Sequence, residues 1–102
     1  MPQRHLVTTL AGLPPGSVKA FTVEAHPIVL FNVAGRVYAL EDRCTHDGAP
    51  LSEGTLDGHT IICPWHNAEF DVTCGKVQCP PAVEDAKNYP VFVEGDQISV
   101  EM

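Results

Sequence analysis

Two short segments of this chain each place a cysteine and a histidine close together. They are residues 44–46 (CTH) and residues 63–66 (CPWH), and both run in the order Cys then His. Thiolates bind zinc, copper(I) and iron-sulfur iron, and neutral imidazole binds zinc, copper and iron. The segments therefore supply one complete ligand set for a metal centre. The ligand types alone do not identify the metal. The four candidate ligands are Cys44, His46, Cys63 and His66.

The spacing of these ligands separates two kinds of centre. Structural zinc sites usually pair like ligands on one turn, whereas each segment here mixes the two types. Cys44 and His46 have only Thr45 between them, which is too short for the usual zinc knuckle. In a [2Fe-2S] cluster with two histidines on one iron, each loop must serve both irons. The mixed order favours such a cluster, and a zinc site in an interaction module is the alternative.

The residues around the ligands form two longer boxes. Residues 44–51 (CTHDGAPL) and 63–71 (CPWHNAEFD) resemble the two cluster-binding boxes of Rieske iron-sulfur proteins. Gly75 and Pro80-Pro81 follow where that family has a glycine turn and a proline-rich loop. The resemblance covers roughly residues 36–100. It implies one [2Fe-2S] cluster as cofactor.

The resemblance also implies a role for each ligand. Cys44 and Cys63 would hold the inner iron, and His46 and His66 the outer, more exposed one. The electron would leave through the outer iron, and a transient redox encounter needs only a small contact area at that edge. The expected docking rim consists of His46, Asp47, His66, Asn67 and Pro81.

Four positions differ from the high-potential respiratory branch of the family. That branch has cysteines at the positions of Ala49 and Trp65, which join the two loops covalently. It has a serine and a tyrosine, both hydrogen-bond donors toward the cluster, at the positions of Ala68 and Phe70. The loops of this chain must instead be held by packing and by the cluster, for which Leu51, Trp65 and Phe70 are available.

The two missing donors predict a low reduction potential. A hydrogen bond to a charged group contributes about 1.5–3 kcal/mol, so each absent donor lowers a one-electron potential by about 60–130 mV if most of that energy favours the reduced state. The potentials of the family span about −150 to +300 mV. We therefore expect a midpoint below 0 mV, which suits a carrier that receives electrons from a flavin-linked reductase.

The rest of the chain predicts an all-β fold. Short runs rich in Val, Ile, Phe and Thr recur between turn signals, and none shows a sustained helical period. Ala34-Gly35 and Gly95-Asp96 are candidate two-residue hairpin turns. The predicted strands cover about residues 5–8, 19–24, 28–33, 36–40, 60–62, 69–72, 91–94 and 97–101. We expect one domain of residues 1–102, a small antiparallel sandwich or barrel with a protruding cluster-binding lobe of two loops at about residues 43–71.

Charge and hydropathy limit the possible partners. Six Lys and Arg against thirteen Asp and Glu give a net charge of −7, which argues against nucleic acid. The acidic exterior either steers the protein to a basic partner or keeps it soluble. No leader pattern and no run of eighteen apolar residues is present, so we expect a cytoplasmic protein without a membrane anchor.

Several other reactive residues are expected to lie outside the centre. Cys74 and Cys79 are expected to be buried thiols that act as small hydrophobic residues, although a local disulfide or a redox switch remains possible. The pair Glu84-Asp85 is expected to be a solvated turn. His5, His26 and His59 have no companion ligands at a useful spacing and are expected to have surface or structural roles.

Three functions are compatible with these features. The first is a Rieske-type ferredoxin that carries single electrons, in transient encounters, from a flavin-dependent NAD(P)H reductase to a terminal ring-hydroxylating oxygenase. The second is the small Rieske-like subunit of an assimilatory nitrite reductase, a family that often departs at a ligand position. All four ligands are present here, which favours the ferredoxin. The third is the zinc module. Catalysis by this chain alone is not expected, because an oxygenase needs a second iron site with two histidines and a carboxylate.

Overall fold

The computed structural model describes residues 3–44, 48–64, 68–79 and 85–102. Within these ranges the chain forms eleven β-strands and two 3₁₀ helices, Leu10–Gly12 and Leu51–Glu53. No helix in this part of the chain is long and apolar enough to cross a membrane. The strands are β1 (Arg4–Thr9), β2 (Val18–Val23), β3 (His26–Val33), β4 (Arg36–Glu41), β5 (Thr55–Asp57), β6 (Thr60–Ile62), β7 (Glu69–Asp71), β8 (Val77–Cys79), β9 (Asn88–Tyr89), β10 (Val91–Glu94) and β11 (Gln97–Glu101).

The strands form three antiparallel sheets. The first sheet has the order β1-β11-β10, the second β2-β3-β4-β9 and the third β5-β6-β7-β8. All eight strands predicted from the sequence are present, and the all-β antiparallel fold is confirmed. The short strands β5, β8 and β9 were not predicted.

Strand β3 is buried on both faces. Residues 28 to 31 are fully buried one after another, and alternate side chains of a strand point to opposite faces of its sheet. Ile28 and Leu30 pack in a core with Ile98 of the first sheet, which we call the far core. Val29 and Phe31 pack in a second core, which we call the cysteine core. Its buried members are Val29, Phe31, Leu40, Cys44, Ala49, Leu51, Ile61, Cys63, Ala68, Phe70, Val72 and Ala86.

Three two-residue turns join neighbouring strands of the first and second sheets. Ala34-Gly35 connects β3 to β4 with φ values of 53° and 94°, and Gly95, with φ 62°, opens the turn between β10 and β11. Both hairpin predictions are confirmed. The β2–β3 turn was not predicted, because it uses Glu24 and Ala25, at φ 50° and 66°, instead of glycine or asparagine.

Asn32 fixes the loop between β1 and β2 to the second sheet. Its side-chain amide donates to the carbonyl oxygen of Leu13 over 2.7 Å, and its Oδ1 accepts from the amide of Gly35 at 2.9 Å. Asn32 is almost fully buried, so these bonds satisfy a polar group that would otherwise be costly to bury.

Candidate metal centre

The two predicted thiol ligands lie in one buried core. Cys44 follows β4 and Cys63 directly follows β6, and their exposed fractions are 0% and 1%. Both belong to the cysteine core, where Ala49 and Ala68 are also fully buried. The histidines His46 and His66 lie outside the described residues, as do the remaining residues of the predicted docking rim, Asp47, Asn67 and Pro81.

The loops that begin at these cysteines are closed in the same way. The amide of Cys44 donates to the carbonyl oxygen of Ala49 over 2.8 Å, and the amide of Cys63 donates to that of Ala68 over 2.7 Å. In each loop the acceptor stands five positions after the cysteine. The two thiols therefore occupy equivalent positions in two loops of equal span.

Gly48 makes the turn of the first loop. Its φ is +78°, a conformation that residues with a β-carbon rarely adopt, and its amide donates to the carbonyl oxygen of Cys44 over 2.9 Å. Pro50 follows with φ −69° and leads into the 3₁₀ helix Leu51–Glu53. The first loop therefore turns at Gly48.

A carboxylate connects the two ends of the first loop. Asp42 precedes Cys44 by two residues, and its Oδ1 accepts from the amide of Ser52 at 2.7 Å. Its Oδ2 accepts from the hydroxyl of Ser52 at 2.8 Å. The amide of Asp42 donates to the carbonyl oxygen of Pro27 over 3.0 Å, which attaches this position to β3. The sequence offered no signal for this arrangement.

The chain on either side of residues 80–84 is fastened near β8. Asp85 accepts a hydrogen bond from the amide of Val77 at 2.9 Å, and the amide of Ala86 donates to the carbonyl oxygen of Gly75 over 2.7 Å. Asp85 is exposed, as expected for a solvated turn, but it also holds the returning chain against β8. The predicted proline-rich loop itself lies outside the described residues.

The third sheet has one apolar and one acidic face. Leu56, Ile61 and Phe70 form a row across its strands and pack in the cysteine core. Asp57 and Asp71 flank Thr60 in the neighbouring row, and because side chains alternate along a strand, that row lies on the opposite face.

Asp71 is held in its charged form by the turn that follows it. The hydroxyl of Thr73 donates to Asp71 over 2.6 Å and the amide of Thr73 over 2.9 Å. These hydrogen bonds, aided by the nearby His59, lower the pKa of Asp71 from its ordinary value of 3.8. In the second sheet, burial raises the pKa of Tyr89, and the charge of Glu41 adds to this.

The exposure of the other cysteines and histidines agrees with the sequence-based prediction at some positions and not at others. Cys74 is exposed, so the prediction of a buried thiol is wrong there: it lies in the turn between β7 and β8, outside both cores. The side chain of Cys79 lies outside what the structure describes. His26 and His59 are exposed, and His5 lies 3.7 Å from Glu24. Among the described residues, no group of three or more His, Cys, Asp or Glu side chains is arranged to hold a metal ion.

The described part of the centre fits an iron-sulfur cluster. Two buried thiols stand at matched positions, each at the start of a loop that a main-chain hydrogen bond closes five residues on, and thiolates are ligands that iron-sulfur iron prefers. A family model described as the Rieske [2Fe-2S] domain matches residues 3–90. The chain belongs to the Rieske family. The cofactor of this family is a [2Fe-2S] cluster.

This chain is similar to several ferredoxins, and each match covers most of both chains. The ferredoxin component of the naphthalene 1,2-dioxygenase system of Pseudomonas aeruginosa is 39% identical over 90 residues, which cover 88% of this chain and 86% of that protein. The ferredoxin of carbazole 1,9a-dioxygenase from Nocardioides aromaticivorans IC177 superposes with a TM-score of 0.92 at 33% identity, covering 96% of each chain. A chain from the complex of reduced oxygenase and oxidised ferredoxin in carbazole 1,9a-dioxygenase gives a TM-score of 0.89 at 35% identity, covering 95% of this chain and 91% of that one.

These matches identify the Rieske chain as an electron carrier of the ferredoxin type and not a catalytic subunit. The alternative function, the small subunit of an assimilatory nitrite reductase, has weaker support. A putative nitrite reductase small subunit from Mycobacterium tuberculosis superposes with a TM-score of 0.88 but is 21% identical, with 100% of this chain and 96% of that chain covered. That similarity shows the shared fold alone.

Proposed function

We propose that this ferredoxin carries single electrons from a flavin-dependent NAD(P)H reductase to a terminal ring-hydroxylating oxygenase. The observation that carries the proposal is the pair of buried thiols in two equivalent loops, within a chain that matches dioxygenase ferredoxins over nearly its full length. A similar ferredoxin occurs in a complex with its oxygenase. The exposed thiol of Cys74 suits a reducing compartment, and we place the protein in the cytoplasm.

The test is reconstitution of electron transfer. The purified ferredoxin is combined with the reductase and oxygenase of a naphthalene dioxygenase system, and NADH-dependent hydroxylated product is measured. Product should form with the native chain and be absent with Cys63→Ser. Electron delivery to a nitrite reductase catalytic subunit but to no ring-hydroxylating oxygenase from several systems would contradict the proposal.

The proposed ligands are Cys44 and Cys63 for one iron, and His46 and His66 for the other. When bound, the cluster supplies reversible one-electron chemistry. The chain contributes the two loop closures onto Ala49 and Ala68, which hold the thiols in the cysteine core.

Substitution of each ligand tests this assignment. Cys44→Ser, His46→Ala, Cys63→Ser and His66→Ala should each abolish or change the visible absorption and the paramagnetic resonance signal of the dithionite-reduced protein. Cys74→Ser and His59→Ala are matched controls at exposed positions and should leave both spectra unchanged. Colourless native protein with stoichiometric zinc and no acid-labile sulfide would overturn the assignment.

We propose that both partners dock at the rim formed by His46, Asp47, His66, Asn67 and Pro81. The shared core of Cys44 and Cys63 supports this proposal, because four of the five rim residues follow these cysteines within three or four positions. Asn67→Arg should slow electron delivery and leave the visible spectrum intact. Asp96→Arg, in the turn between β10 and β11 of the first sheet, is the control. Equal turnover by both variants would place the docking surface elsewhere.

We also propose that residues 1–102 form one domain and that residues from about 43 to 71 form its cluster-bearing lobe. Strand β3 supports this arrangement, because it supplies side chains to both cores. Calorimetry of the native protein should then show one transition, whereas two separated transitions would indicate independent units.

A further inference from the structure

We propose that Asp42 is a positioning residue for the cluster, and that its carboxylate fixes the first loop relative to the second. The inference rests on the proposed cluster ligands. No covalent link can join the loops at Ala49 and Trp65, where the respiratory branch has cysteines. Non-covalent contacts, in addition to the cluster, must therefore hold the two loops in place.

Asp42 and Ser52 form a pair of hydrogen bonds that we call the clamp. Both carboxylate oxygens of Asp42 are used, one by the amide and one by the hydroxyl of Ser52, at 2.7 and 2.8 Å. Hydrogen bonds to an ionised acceptor are shorter and stronger than neutral ones. Asp42 and Ser52 are both half-buried, so water competes less effectively for these bonds than at an exposed pair. Because Asp42 precedes Cys44 and Ser52 follows Ala49, the clamp is a second closure of the first loop, in addition to the bond from Cys44 to Ala49.

The short helix that contains Ser52 leads to the segment before the other proposed thiol ligand. Ser52 belongs to the 3₁₀ helix Leu51–Glu53, and Leu51 is fully buried in the cysteine core. Gly54 ends this helix so close to β6 that a β-carbon there would collide with the carbonyl oxygen of Ile62. Ile62 immediately precedes Cys63. The clamp, the short helix and this close approach therefore connect Asp42, two residues before the first proposed thiol ligand, to the residue before the second.

Three substitutions distinguish the effect of the two hydrogen bonds from the effect of the negative charge. Asp42→Asn removes the charge but keeps both bonds: its carbonyl oxygen accepts from the Ser52 amide, and its NH₂ group donates to the Ser52 hydroxyl oxygen. Asp42→Ala removes the charge and both bonds. Ser52→Ala removes only the hydroxyl bond and keeps the charge.

The experiment uses the cluster-loaded protein and measures two signals. One is the half-life of visible absorption in air, and the other is the paramagnetic resonance signal of the reduced protein. Asp42→Ala should shorten the half-life about tenfold and broaden the signal, since two net hydrogen bonds are lost. Asp42→Asn should stay within about twofold of the native half-life, and Ser52→Ala should lose about threefold.

A control separates positioning from general stability. Val100→Ala removes buried side-chain volume from the far core without touching either loop. It should lower the melting temperature while the resonance signal keeps its native shape. If Asp42→Ala does not fold, Ser52→Ala and Asp42→Asn still test the order of half-lives.

Three outcomes would overturn the inference. Half-lives that are shortened equally in Asp42→Asn and Asp42→Ala would show that the charge and not the clamp matters. Native half-life and signal shape in both Ser52→Ala and Asp42→Ala would show that the clamp does not act on the centre. If the half-life of Val100→Ala falls with its melting temperature as it does in the clamp variants, the effect is general destabilisation. Native protein without any cluster would instead overturn the proposed centre, and the inference with it.

Discussion

The main chains of Gly75 and Ala86 approach so closely that Gly75 has no room for a side chain. The amide of Ala86 donates to the carbonyl oxygen of Gly75 over 2.7 Å, and a β-carbon on Gly75 would collide with the carbonyl oxygen of Ala86. Gly75 also has a φ of +82°. This contact fixes the chain that returns after residues 80–84 against the turn before β8.

Gly75→Ala should therefore destabilise the protein by more than a change of backbone preference alone. We expect a loss of about 2 kcal/mol or more in the free energy of unfolding, measured by denaturant titration. Gly95→Ala is the matched control, because Gly95 has a φ of +62° but a β-carbon added there would meet no atom within 4 Å. Its loss should be about 1 kcal/mol. Equal losses would show that the contact with Ala86 is not tight.

Ala25→Gly should stabilise the protein. Glu24 and Ala25 form the β2–β3 turn at φ 50° and 66°, where glycine is favoured over alanine. We expect a gain of about 0.5–1 kcal/mol in the free energy of unfolding. Ala20→Gly is the same substitution inside β2, and it should cost a similar amount. A loss of stability at position 25 would contradict the turn geometry.

The reduction potential should rise when hydroxyl donors are added at positions 68 and 70. Ala68 and Phe70 are fully buried in the cysteine core, where neither side chain can donate a hydrogen bond. We expect a native midpoint below 0 mV and a rise of about 60–130 mV for each of Ala68→Ser and Phe70→Tyr, because a donor favours the reduced, more negative state.

Val72→Thr is the control for this titration. It adds a hydroxyl to the same core at neither of the two positions that carry donors in the respiratory branch, and it should leave the potential near the native value. A native midpoint above about +150 mV, well inside the upper half of the family's range, would show that the absent donors do not set the potential.

The stability contribution of Asp71 should depend on pH. Hydrogen bonds from Thr73 lower the pKa of Asp71 in the folded state. A lowered folded-state pKa stabilises the protein above the unfolded value of about 4, and this stabilisation is lost as the pH falls through the folded-state pKa. The difference in unfolding free energy between native protein and Thr73→Ala should be full at pH 6 and shrink below about pH 4. A constant difference would contradict this linkage.

The sequence predicted the elements whose patterns are local. Strands β10 and β11 have the predicted bounds, because a glycine marks the turn between two apolar runs. The β2–β3 turn was missed because Glu24-Ala25 carries no turn residue. Strands β5, β8 and β9 have two or three residues each and contain no consecutive β-branched residues, whereas β6, which was predicted, consists of three.

The candidate ligands were proposed from the sequence because they are neighbours in the chain. Cys44 and Cys63 were each proposed because a histidine lies nearby in sequence, and the structure places both in the cysteine core. The clamp between Asp42 and Ser52 and the bond from Val77 to Asp85 could not be predicted in this way, because each depends on where separate segments meet. Cys74 was misjudged since a cysteine in a turn has no neighbouring pattern that reports its exposure.

Strand β3 has a consequence for how this molecule opens. Its alternate side chains belong to both cores, so the strand cannot detach from one side without uncovering the other. Local fluctuations should therefore be confined to hairpin ends and loop tips, and the amides of Val29 and Leu30 should be among the last to exchange with deuterated solvent. The half of the molecule that contains the cysteine core is thus anchored by the same strand as the half that contains the far core.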